Sequence, residues 1–138
     1  MKFNRKAIAN WKGTGMEGSG NITTHSTVLD KTQLSFKTRF EHGIGTNPEE
    51  LIAAAHAGCY TMQLSFLISE AGFIPENLDT QAKVYFEDGS IPKIELNLEA
   101  AISGISTEKF QELAEKAKEI CPVSKLLKAE IVLFTKLL

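Results

Sequence analysis

The chain has 138 residues, 43% of them hydrophobic and 23% charged, with 15 Lys plus Arg against 17 Asp plus Glu and a formal net charge of −2. That length suits one domain, residues 1–138, with a core of its own, small enough to gain by association. The near-neutral acidic balance excludes a general nucleic-acid binder, and the opening Met1 to Lys12, with Lys2, Arg5, Lys6 and Lys12 but no apolar run, excludes a secretory signal peptide.

In chain order, Phe3 to Lys12 alternates enough to predict a strand. The Gly-rich run Gly13 to Gly20 predicts a turn. Asn21 to Leu29 and Leu34 to Phe40, rich in Thr and apolar residues, predict two more strands. In the second of these, Leu34, Phe36, Thr38 and Phe40 face one side and Ser35, Lys37 and Arg39 the other. Asn47-Pro48-Glu49-Glu50 is the clearest local signal in the chain. Asn47 stands as N-cap, Pro48 at the first helical position and Glu50 at the capping-box position. The helix should run to about Ala71 and end at Gly72. Leu78 to Phe86 and Ile94 to Ile102 predict paired strands broken at Asp88-Gly89. Thr107 to Ile120 predicts an amphipathic helix with Phe110, Leu113, Ala114, Ala117 and Ile120 on one stripe. Pro122 interrupts it; a short helical turn through Leu127 and a last strand, Glu130 to Lys136, follow. The order is that of an α+β fold, with antiparallel strands wrapped on helices.

Leu51 to Ile68 carries no formal charge, which raises the question of a membrane span. His56, Thr61, Gln63 and Ser65 lie within it and no basic cluster flanks it, so it reads as a buried central helix. One small sheet is too little to cover such a helix, and a homodimer is the expected consequence.

The two cysteines, Cys59 and Cys121, form no CxxC and exclude both a four-thiolate zinc site and a thioredoxin-type motif. They are a redox pair or two inert core thiols. Cys59 falls mid-helix, where Ala57 and Gly58 leave room beside the thiol. Cys121 precedes Pro122, where a thiol at a helix start feels the positive end of the dipole. Arg39 is either a solvated charge or an activating cation for a thiolate. Glu50 completes the cap, which leaves Glu49 as the freer carboxylate. Glu49 and Cys59 are ten residues apart, roughly 15 Å of rise on one straight helix. A Glu side chain does not bridge that distance, so a site shared by the two takes Glu49 from a second copy of the chain. His56, at i−3 from Cys59, lies on the same side of the helix. It is a buried, hydrogen-bonded histidine or the base of a Cys–His nucleophile pair.

Three runs together resemble the osmotically inducible protein C / organic hydroperoxide resistance (OsmC/Ohr) family, in its OsmC branch. They are Thr38-Arg39-Phe40, then Gly45 through Cys59 with Asn47-Pro48-Glu49-Glu50-Leu51 inside it, then Cys121-Pro122-Val123-Ser124. The resemblance covers essentially the whole chain. It implies an intertwined α+β homodimer built round the long helix, located in the cytoplasm. It implies cofactor-independent reduction of organic hydroperoxides, with a lipoylated protein or other dithiol as reductant, and neither nucleic acid nor membrane as partner. By the same resemblance Cys59 is the peroxidatic thiol and Cys121 the resolving thiol; Arg39 stabilises the Cys59 thiolate and Glu49 holds Arg39. Gly58 and Tyr60 stand where the family pattern leads one to expect Ala and Phe, and the turn at Asp88-Gly89 is short. These departures bear on substrate preference more than on chemistry. Two other readings remain from the residues alone: a non-enzymatic dimer holding a small apolar ligand, and a Cys–His hydrolase using Cys59 and His56.

Overall fold

The computed structural model describes residues 1–138, which divide into two compact units, Met1–Leu51 and Ile52–Leu138. The first unit is a three-stranded antiparallel sheet of β1 (Ala7–Lys12), β2 (Ser19–Thr24) and β3 (Thr32–Leu34), in the order β1-β2-β3, followed by the short helix α1 (Phe36–Phe40). Helix α2 (Pro48–Glu70) starts in this unit and continues through the second.

The predicted strand from Leu34 to Phe40 is the main local correction. Only Leu34 is in a strand; residues 36–40 are helical. The reason is a capping box at Ser35. Its hydroxyl accepts from the Thr38 N–H at 3.2 Å, and the Thr38 hydroxyl oxygen accepts from the Ser35 N–H at 2.8 Å. Two reciprocal bonds outweigh a short alternating pattern, and Arg39 therefore sits in the last turn of a helix rather than on a strand face.

The start of α2 follows the sequence signal. The Asn47 side chain accepts from the Glu50 N–H at 2.7 Å, and its amide donates to the Thr38 carbonyl at 3.0 Å, which ties α1 to the start of α2. The Glu50 carboxylate is engaged by the Thr46 hydroxyl at 2.9 Å. Gly45 before it has φ of +140°, and a Cβ there would stand 2.3 Å from the Gln33 carbonyl oxygen, so only glycine fits. The helix ends at Glu70, with Gly72 at φ +90° just beyond.

The second unit holds β4 (Asn77–Glu87), β5 (Ser90–Ala101), α3 (Thr107–Ile120), α4 (Pro122–Leu126) and β6 (Glu130–Leu137). β4 and β5 form an antiparallel hairpin turned by Asp88 and Gly89, both at positive φ. β6 returns beside β5 in parallel, so this sheet is mixed where a purely antiparallel one was expected. The physical reason is the connection: α3 and α4 carry the chain back along the sheet, which a parallel neighbour requires. On β5 the residues Ile94, Leu96, Leu98 and Ala100 are buried, the period of two that a half-covered sheet demands. They pack with Tyr60, Leu64 and Ile68 of α2 and with Phe110, Leu113, Ala114 and Ala117 of α3. Burying each of the larger side chains contributes about 1.5–3 kcal/mol.

Helix α2 is long and apolar enough to cross a membrane by length and composition. Within its own chain it is only half covered. His56, Tyr60, Leu64, Leu67 and Ile68 are buried, while Ala55, Gly58, Met62 and Phe66, one helical face, are exposed. The expectation of a helix buried all round is thus met on one side only.

Candidate active site

The first unit positions one ion pair. Arg39 donates from Nε at 3.1 Å and from Nη2 at 2.9 Å to a single oxygen, Oε1 of Glu49. The Arg39 side chain is 39% exposed and that of Glu49 15%. A pair this open adds no more than about 1 kcal/mol to stability. It orients the guanidinium far more than it holds the fold, and an arginine keeps its charge at any working pH. The second Glu49 oxygen, Oε2, is buried without a hydrogen-bond partner. The Arg39 guanidinium also lies 5.1 Å from the Phe40 ring centre, and Phe40 packs against Phe36 at 5.0 Å between centroids. Around them lies a cleft of about 270 Å³ lined by Trp11, Leu34, Phe36, Arg39, Phe40 and Pro48.

The second unit positions the thiols. Both cysteines are free, Cys121 fully buried and Cys59 partly exposed. Their sulfurs stand 2.9 Å apart. Cys121 is the one residue between α3 and α4, with its N–H bonded to the Ala117 carbonyl at 3.0 Å. Burial first, then the hydrogen bond and charge of Cys121, push the Cys59 thiol above its ordinary pKa; the polarity of the nearby Val123 backbone pulls the other way. A thiol held up in this way is a poor nucleophile until a cation joins it.

Two further groups surround the pair. Tyr60 is fully buried and donates to the Ala114 carbonyl at 3.2 Å, which joins α2 to α3. Burial above all, with Glu115 and Cys121 adding, pushes its phenol well up, so it stays neutral. His56 is fully buried with Nε2 2.8 Å from the Ser124 hydroxyl, and burial lowers its pKa. Groups of three or more His, Cys, Asp or Glu placed to hold a metal ion do not occur.

Of the residues singled out from sequence, the structure joins Cys59 with Cys121 and Arg39 with Glu49. His56 is taken by Ser124 in a hydrogen bond. Val123 and Ser124 were not picked out individually. Their only signal was that they follow Cys121 in the first turn of a Pro-started helix, which points N–H groups and side chains back towards the residue before it.

Known proteins share this chain's sequence pattern and its fold. The family model described as OsmC-like protein matches residues 41–136. The chain is 46% identical over 137 residues to Peroxiredoxin OsmC of Escherichia coli (strain K12), covering 96% of each. It is 32% identical to the organic hydroperoxide resistance protein OhrB of Bacillus subtilis (strain 168), covering 82% of this chain and 85% of that protein. The crystal structure of Bacillus subtilis OhrB aligns over 99% of this chain and 98% of its own, with a TM-score of 0.69 and 28% identity. An OsmC-like protein from Mycoplasma pneumoniae shares the fold, with a TM-score of 0.79 at 13% identity, over 100% of this chain and 99% of that one. On the match of most of its length to the family model and on these relatives, the chain belongs to the OsmC family.

Proposed function

We propose that this chain is a cysteine-based peroxidase that reduces organic hydroperoxides to alcohols. The observation that carries the reading is the thiol pair: a partly exposed Cys59 with a buried Cys121 sulfur 2.9 Å away. An exposed thiol meets substrate; a buried one beside it captures the oxidised product before it oxidises further. The relatives' names, peroxiredoxin and organic hydroperoxide resistance protein, point to the same chemistry.

The Cys59 thiolate attacks the distal peroxide oxygen. The O–O bond breaks, the alkoxide takes a proton and leaves as the alcohol, and Cys59 becomes a sulfenic acid. The Cys121 sulfur then attacks the Cys59 sulfur. An S–S bond forms, the S–O bond breaks, and water leaves with the Cys121 proton. An external dithiol, such as a lipoylated protein, reduces the disulfide by exchange and is itself oxidised to a disulfide. The residues call for no bound cofactor or metal.

Activation of Cys59 is assigned to Arg39, held by Glu49. Ten residues of α2 separate Glu49 from Cys59, roughly 15 Å of rise. The ion pair therefore serves the thiol of a second copy, and the working form is a homodimer. Two features support it: the exposed apolar face of α2 at Ala55, Gly58, Met62 and Phe66, and the raised thiol pKa of Cys59. Residues 1–138 act as one domain in this reading, since the family match runs across the division at Leu51. The aromatic cleft beside Arg39 favours bulky, apolar peroxides over hydrogen peroxide. A kcat/KM for hydrogen peroxide equal to or above that for cumene hydroperoxide would count against that preference. The reaction needs neither membrane nor nucleic acid, and a dithiol-dependent cycle suits the cytoplasm.

The test is turnover of cumene hydroperoxide with dihydrolipoamide by the wild type, Cys59→Ser and Cys121→Ser, with mass spectrometry of the products. The expected result is no turnover in Cys59→Ser, a Cys59–Cys121 disulfide in the wild type and a sulfenic acid in Cys121→Ser. Unmodified thiols after peroxide, with no turnover on any dithiol, would sink the reading. They would leave a dimer that holds a small apolar ligand.

A further inference from the structure

We propose that His56 and Ser124 form a latch that aims Cys121 at Cys59, a positioning pair for the disulfide-closing step; this rests on the two-cysteine reading above. His56 is fully buried, yet only one of its ring nitrogens is bonded: Nε2 meets the Ser124 hydroxyl at 2.8 Å and Nδ1 has no partner. A leucine would fill the same space without leaving a buried polar atom unpaired. What the imidazole supplies, and a leucine does not, is the bond to Ser124.

The placement of that bond gives it a purpose. Cys59 and His56 are three residues apart on α2 and lie on one side of it. The start of α4 meets the same side: the Cys121 sulfur just before it stands 2.9 Å from that of Cys59, and the Ser124 hydroxyl bonds His56. Cys121 is the single residue between α3 and α4, at φ −57° and ψ 124°. The direction of its side chain therefore follows the direction in which α4 leaves α3. α4 itself is five residues long, with no side-chain cap and no buried residue. Its Val123 packs against the core, but so short a helix has little intrinsic stability. The His56–Ser124 bond adds a directional tie to that packing, beside the Cys121 and Cys59 sulfurs 2.9 Å apart.

Closure joins the Cys59 and Cys121 sulfurs and expels the sulfenic oxygen as water. Its competitor is a second peroxide, which takes the sulfenic acid to sulfinic acid and releases another alcohol. A slack latch shifts the balance towards the competitor while leaving the first attack on peroxide almost untouched.

The experiment follows the full-length protein by stopped flow and intact-mass spectrometry after a pulse of cumene hydroperoxide. Wild type, Ser124→Ala, Ser124→Thr, His56→Gln and His56→Leu are compared. In Ser124→Ala, sulfenic acid forms at the wild-type rate, while closure slows by about tenfold or more, as expected for a misaimed reacting atom. Sulfinic acid then accumulates at peroxide levels the wild type survives. Ser124→Thr keeps the hydroxyl and closes like wild type. His56→Gln places a nitrogen near the Nε2 position and closes faster than His56→Leu. If His56→Leu does not fold, the two serine variants carry the test alone. Closure in Ser124→Ala at the wild-type rate, or equal slowing in Ser124→Ala and Ser124→Thr, overturns the latch. A wild type that forms no disulfide at all removes the underlying two-cysteine reading instead, and is seen before any variant is compared.

Discussion

The two units are built on different terms. In Ile52–Leu138 the apolar residues are inside: every buried apolar side chain of the molecule, from Tyr60 to Cys121, belongs to it. In Met1–Leu51 the buried residues are Thr38 and Thr46, both polar, and all six residues of β1 are exposed, Ile8 and Trp11 among them. One unit carries a core and the thiols; the other carries a cation and a sheet whose first strand exposes Ile8 and Trp11. A three-stranded sheet with no buried apolar side chain has little core of its own to hold it. The difference teaches that the first unit buries little apolar surface of its own, and one face of α2 is likewise uncovered within the chain. In the homodimer proposed above, a second copy would cover both and bring Arg39 to Cys59.

The largest expected effect tests that division of labour. Cys59→Ser and Arg39→Ala should each be inactive as pure dimers. Mixed and allowed to exchange, they should recover about a quarter of wild-type turnover, because half the dimers are mixed and each mixed dimer keeps one intact site. A mixture as dead as its parents would place the cation and the thiol of one site on the same chain.

Next in size is the core. Leu64→Ala, fully buried in the second unit, should cost about 2–5 kcal/mol in chemical denaturation. The matching change in the first unit, Ile8→Ala, at 73% exposure, should cost little in the isolated chain. In the proposed dimer it should cost more, and the excess, read as a concentration-dependent Tm, would measure how much β1 is covered there.

The ion pair should separate stability from activity. Glu49→Gln should lower stability by less than about 1 kcal/mol, since the pair is open to solvent. It should nevertheless raise the pH at which Cys59 begins to react with peroxide, as its cation is no longer held. An unchanged pH profile would remove Glu49 from the site.

The smallest effect is on pH and stability. His56 has a folded pKa below its ordinary 6.5, set by burial, so the unfolded chain binds the proton more readily. Its contribution is present above pH 6.5 and is lost as the pH falls from there towards the lowered folded value. Thermal melts should be flat near neutrality and decline through mild acid, and His56→Gln should remove part of that decline.

Much of this was legible in the residues. Asn47-Pro48 at the start of α2, the Asp88-Gly89 turn, the α3 stripe and the Pro122 break are local chemistry, because caps and turn residues act within four positions. The stretch from Leu34 to Phe40 departs from its pattern for a local reason as well. Its alternation suits a strand, and the Ser35–Thr38 box that makes it helical is a weaker signal than Asn-Pro-Glu-Glu. The parallel pairing of β6 was not legible, since the direction of a returning strand depends on how two intervening helices pack.

By itself the sequence determined the residue types and their local geometry: two thiols, an arginine, a freer carboxylate and the helix that separates Glu49 from Cys59. The tertiary structure alone decided which of them meet. Cys59 and Cys121 come within 2.9 Å although the chain between them makes two strands and a helix, and His56 meets Ser124 by the same route. Such contacts come from packing α3 and α4 against α2 and the sheet, a sum of many small apolar terms in which no single residue announces its partner.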